Sequence, residues 1–191
     1  NTASGYASVV SGGDSNTASG VRAAIGGGLA NTATQCVSTV AGGDYNDATA
    51  SRAFIGGGYN NTASGVYSTV SGGYQNCTTG TRDTVGGGQF NCATGGYSVV
   101  GAGRSNCATG YISTTSGGFL NTASGGYSFV GGGKSNTASS TYATVGGGFT
   151  NNATASCATI AGGWCNTASN VYTFVGGGRD NQSTAVASVI G

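Results

Sequence analysis

Asparagine returns at every fifteenth residue of this 191-residue chain, with no insertion or deletion between one occurrence and the next. The thirteen are Asn1, Asn16, Asn31, Asn46, Asn61, Asn76, Asn91, Asn106, Asn121, Asn136, Asn151, Asn166 and Asn181. Twelve complete repeats and an eleven-residue thirteenth account for every residue, so residues 1–191 read as a single repeat array. Position 3 of the repeat is Ala except at Thr78 and Ser183, position 10 is Val or Ile except at Thr115, and position 13 is Gly wherever it is reached. A strict internal period decides architecture before any other signal. Fifteen residues are too few for a helical hairpin, and the repeat is rich in Gly and β-branched residues, so each repeat is expected to form one coil of a parallel β-solenoid.

Strand alternation then assigns faces. Asn at position 1, Ala at 3, Ser or Ala at 8 and Val or Ile at 10 point inward, while positions 2, 4, 7 and 9 point out. Gly at position 5 and the pair at 12 and 13 supply the turns, where a positive φ is accessible to them. The asparagines stack about 4.8 Å apart as an amide ladder bonded along the axis and to turn backbone, a structural role. Thirteen coils make a rod on the order of 60 Å long. The core of each coil is thin, one Ala, one small residue and one Val or Ile, so stability must come from stacking, disulfides or partners outside the coil.

Composition excludes several functions. Gly contributes 40 residues, His and Pro are absent, and the formal net charge is +1, which argues against a nucleic-acid groove or a polybasic membrane contact. No apolar run has the length of a membrane span, so no membrane insertion is expected in this segment. With no His, no Glu and five scattered Asp, no acid–base pair or activated nucleophile can be assembled, and neither an enzyme nor a cofactor is expected. The Gly-Gly-Gly turns lack the Gly-Lys-Ser/Thr ending of a phosphate loop.

The strings Ala63–Gly73 (ASGVYSTVSGG) and Ala123–Gly132 (ASGGYSFVGG) resemble the head repeats of YadA-like trimeric autotransporter adhesins. That resemblance implies a left-handed β-roll, three chains side by side, and an extracellular head or stalk that binds a host or matrix surface. Two features depart from the family: its usual period is one residue shorter, and its heads usually lack cysteine. The rows of outward hydroxyls in Thr-Ala-Ser also resemble the Thr-x-Thr rows of insect antifreeze solenoids. Position 2 is Thr in only seven of thirteen coils, with no run longer than Thr2, Thr17 and Thr32.

Six cysteines are present. Cys77, Cys92 and Cys107 hold position 2 of consecutive coils, close enough for one pair to bond. Cys157 and Cys165, at positions 7 and 15 of one coil, are candidates for a staple across a turn, and Cys36 has no evident partner. Free packed thiols are the alternative; metal coordination lacks a histidine to complete it. Disulfides would place the chain in an oxidising, extracellular or surface compartment. Asn60 and Asn152 head outward-facing glycosylation sequons, whereas the sequons at Asn76 and Asn181 belong to the inward ladder.

Positions 7 and 9 carry Tyr67, Tyr97, Tyr127, Tyr142 and Tyr172 beside Phe54, Phe129 and Phe174. Such rows are too apolar to be left to water and read as a contact face, for sister chains or for sugar rings. Arg22, Arg52 and Arg82 all fall at position 7, two repeats apart, the mark of a duplicated double repeat. The sequence therefore reads as a structural extracellular fibre segment that extends and displays a surface. It assembles with copies of itself, as a trimer or a filament, side by side or end to end. Adhesion to host or matrix, ice binding and carbohydrate binding or a glycan coat stand as the further readings.

Overall fold

In the computed structural model, which describes all 191 residues, the chain is a parallel β-solenoid with no helix. Each coil holds two strands of two residues, from β1 (Thr2–Ala3) and β2 (Val9–Val10) in the first coil to β25 (Gln182–Ser183) and β26 (Val189–Ile190) in the last. The odd-numbered strands form one thirteen-stranded sheet and the even-numbered strands another. Register never slips: Thr2 pairs with Thr17, Thr69 with Thr84 and Ala168 with Ser183, always fifteen residues apart. A third line of parallel pairing, absent from the expectation above, runs through position 14 from Asp14 to Arg179.

The interior follows the alternation. Ala at position 3 and Val or Ile at position 10 are fully buried from Ala18 through Val175, and no aromatic side chain is among the buried residues. The ladder asparagines from Asn16 to Asn166 are buried with them.

The turns meet the glycine-based expectation in part: φ is positive at position 13 in every coil that reaches it and at position 12 in Gly27, Gly57, Gly72, Gly87, Gly132 and Gly177. Position 5 has ordinary backbone angles and accepts Gln35, Ala50 and Ser140. Beyond position 13 and Gly96, the left-handed residues are positions 7 and 15, which no glycine expectation covered and which are non-glycine in every coil, including the β-branched Val37, Ile112 and Thr150. A side chain in that conformation costs about 1–2 kcal/mol. It persists because of where the amide then points. Strand N–H groups donate to the following coil, as Thr17 does to Asn31, whereas the left-handed corners turn theirs to the preceding one: Val37 to Val21 at 2.8 Å, Ile112 to Gly96 at 3.0 Å and Thr150 to Lys134 at 2.9 Å. Each corner thus ties its coil in both directions.

Candidate functional site

The interior ladder is fully bonded and structural. At Asn61, Nδ2 donates to the carbonyls of Gly57 (3.0 Å) and Gly73 (2.9 Å), while Oδ1 accepts the backbone N–H of Asn76 at 2.9 Å. The same three contacts recur coil after coil, for example at Asn136 with Gly132, Gly148 and Asn151. Position 13 and position 1 demand each other. A Cβ on Gly58 would lie 2.1 Å from the Gly73 carbonyl and 2.9 Å from the Asn61 amide nitrogen, so the carbonyl that the amide bonds can be approached only past a glycine.

Where the interior departs from its consensus, a local partner is supplied. Thr78 donates its hydroxyl to Ser68 Oγ at 2.9 Å, and Thr115 donates to the Cys107 carbonyl at 3.0 Å. Asp83, fully buried at position 8, accepts the Gly80 N–H at 2.7 Å through Oδ2, and both the N–H and the hydroxyl of Ser98 at 2.8 Å through Oδ1. Its neighbour Arg82 points outward, to the hydroxyl of Tyr97.

Of the cysteines, Cys77 and Cys92 form a disulfide, with Cα atoms 4.8 Å apart. Cys107, the next in the same row, is free and half-buried, and desolvation pushes its thiol above the ordinary value. Cys36 is exposed and unpaired. Cys157 and Cys165 do not staple their coil. They occupy its two left-handed corners, with the strand Thr159–Ile160 and the glycine turn between them, and both are free. Of the sequon asparagines, Asn60 and Asn152 are exposed, while Asn76 is buried and bonded in the ladder.

The outer surface carries all seventeen aromatic rings, ten Tyr, six Phe and one Trp, none of them buried. Those expected to share one face divide between two places. Phe54, Phe129 and Phe174 project from the second sheet at position 9, whereas Tyr67, Tyr97, Tyr127, Tyr142 and Tyr172 stand on the left-handed corner at position 7. On that corner Arg52 lies over the Tyr67 ring at 5.0 Å, and Arg82 lies between Tyr67 (5.3 Å) and Tyr97 (5.1 Å). Further along, Tyr111 meets Tyr97 and Tyr127 edge-on and Tyr127 stacks on Tyr142. Two of the three superperiod arginines, Arg52 and Arg82, thus form a cation–π ladder between coils, worth about 0.5–1 kcal/mol per exposed contact.

A second ladder, on the opposite corner at positions 14 and 15, escaped the sequence reading because alternation from the strands does not reach past the glycine turn. Its signal was present all the same, in the recurrence of rings and cations at one repeat position. Tyr59 stacks on Tyr74 with centroids 5.4 Å apart, and Phe149 packs on Trp164 at 4.4 Å. Lys134 sits between Phe119 (5.8 Å) and Phe149 (5.4 Å), with Arg104 over Phe119 and Arg179 over Trp164.

Fold and surface together define the class: a parallel β-solenoid rod whose interior is architectural and whose corners carry ladders of rings and cations. No family model matches the chain, and no curated protein matches it either.

Proposed function

We propose that the chain is a structural segment of an extracellular fibre, extending and displaying a surface and associating side by side with copies of itself. The observation that carries this reading is the placement of every aromatic ring outside a coil whose interior holds, Asp83 apart, Ala, Val, Ile and small polar side chains. Rings held in rows with cations between them on a rigid rod lose little entropy on docking, the property a repeating contact face needs. Purified chain examined by electron microscopy and analytical ultracentrifugation is expected to give slender rods joined along their length. Single rods at every concentration would overturn the reading. Adhesion to a host, matrix or glycan surface is the function such a display would serve, and an array of glycans and matrix proteins tests it directly.

One observation favours a second reading. Position 4 bears Ser or Thr in all thirteen coils, beside the threonines of position 2 on a sheet without register error. Regular hydroxyl rows of that kind would suit ice, although Asp47, Asn152, Gln182 and the three cysteines interrupt the position 2 row. Thermal hysteresis in the purified chain would support ice binding, and its absence would remove it.

A further inference from the structure

The corner at positions 14 and 15 is charge-segregated along the rod. In the first six coils its only charged residues are Asp14 and Asp44; in the next six they are Arg104, Lys134 and Arg179, with Asp180 beside the last. The two halves of one edge thus carry formal charges of −2 and +2. The pair within the chain, Arg179 to Asp180 at 3.1 Å, is between side chains 76% and 62% exposed, a setting in which an ion pair holds weakly.

From this we infer that the edge binds a second copy of the chain in antiparallel orientation, through a two-fold axis near the coils of Gln89 and Arg104. The inference rests on the side-by-side association proposed above and names its surface and direction. A two-fold interface brings the same patch of both copies together, so it must be self-complementary. With first coil against twelfth, Asp14 faces Arg179, Leu29 faces Trp164, Tyr59 faces Lys134 and Tyr74 faces Phe119. A shift by one coil exchanges the Asp14–Arg179 pair for another, setting Asp44 against Lys134 and Tyr59 against Phe119. Parallel, in-register pairing of the same edge would instead set Asp14, Asp44, Arg104 and Lys134 each on its own copy, a repulsive arrangement at four coils.

The partner's side chains would meet a surface already ordered. The cations are held over rings of their own chain, and the rings stack on each other, so little rotamer freedom remains to be lost. An edge ~60 Å long and about 10 Å wide offers roughly 600 Å² per chain, about 1,200 Å² in the pair, at the lower end of specific interfaces. The extent is sufficient for a reversible dimer that charge would orient.

Cys165 supplies a native reporter, since it stands at position 15 of the eleventh coil and is free. Antiparallel pairing brings it opposite position 15 of the second coil, Ala30, to within one coil. The variants Ser15→Cys, Ala30→Cys and Tyr45→Cys, treated with a short bifunctional thiol reagent, bracket that register. We expect covalent dimers joining the introduced thiol to the partner's Cys165, identified by peptide mapping and lost when Cys165→Ser is added. Linkage of Cys165 to the partner's Cys165 in the unaltered chain would mean parallel pairing and overturn the inference while leaving the fibre reading in place. So would the absence of all three links in a chain that still sediments as a dimer. Single rods throughout would overturn both.

A charge exchange gives an independent readout. Asp14→Lys with Asp44→Lys makes both halves of the edge positive, and Lys134→Asp with Arg179→Asp makes both negative. Each double variant alone is expected to dimerise ~10-fold or more weakly, and their mixture to recover dimers of one copy of each. Failure of the mixture to recover would overturn the inference.

Discussion

From Ala18 to Ala108 the buried apolar side chains form one cluster and from Ala123 to Val175 a second, with only the small Ala108 and Ala123 in register across the junction. The break falls at Thr115, which replaces Val or Ile in the same coil as Ala108. The two segments also differ inside: the first absorbs Thr78 and Asp83, and the second holds an unbroken column of Ala, Val and Ile at positions 3 and 10. The asparagine ladder crosses the gap unchanged, with Asn121 donating its backbone N–H to Asn106 Oδ1 at 3.0 Å. In this solenoid the polar ladder, and not the apolar column, provides continuity from coil to coil. Each amide satisfies two partly buried carbonyls and one N–H, whereas one missing methyl group leaves only a local loss.

The largest effect should come from the ladder and should be blind to the segment. Asn61→Ala and Asn136→Ala each strip partners from two glycine carbonyls and from the next asparagine N–H, at a cost of about 2–5 kcal/mol. Thermal unfolding followed by circular dichroism should show equal losses, and a markedly milder Asn136→Ala would assign the second segment's continuity to its apolar column instead. Asp83→Ala comes next, since it orphans the Ser98 and Gly80 N–H groups for about 2–3 kcal/mol. Asp83→Ser, which restores the residue type used at Ser68 and Ser98, should cost less than half as much in denaturant titration.

Thr115→Val should act in the opposite direction. It removes one hydroxyl bond and joins the two apolar clusters, a gain of about 0.5–1 kcal/mol. Hydrogen exchange would test the comparison itself: amides on either side of the Thr115 coil, protected to different degrees in the parent chain, should approach a common value.

The smallest effects lie in the cysteine row beside the same junction. In Cys77→Ser, Cys92 is expected to bond Cys107, its in-register neighbour one coil on. The ring closed is again fifteen residues, so stability should change by less than about 0.5 kcal/mol while peptide mapping shows the new bond. In the parent chain burial holds Cys107 in its thiol form, so its alkylation should trail that of exposed Cys36 at neutral pH and keep accelerating as pH rises past the ordinary thiol range.

Much of this molecule is legible in its sequence because a constant period makes residue i the neighbour of residue i+15. Asn1, Ala3, Ser8 and Val10 declare an inward column as soon as the repeats are aligned, and the strand register follows without further information. The same logic placed Cys77 beside Cys92 and found the tyrosines of position 7. It did not find the edge at positions 14 and 15, where Tyr59, Lys134 and Trp164 stand. Alternation is a property of strands, and the two-residue strands of this coil end before the glycine turn.

The sequence by itself therefore determined the coil, its interior and the neighbours along each row, since those depend on period and on side-chain polarity. Only the tertiary structure decided which way each amide points at the corners. Val37, Ile112 and Thr150 accept a left-handed backbone that none of them favours, because carbonyls of the preceding coil hold them there. The corners, and with them the two ladders of rings and cations, are a consequence of stacking that no single repeat could express alone.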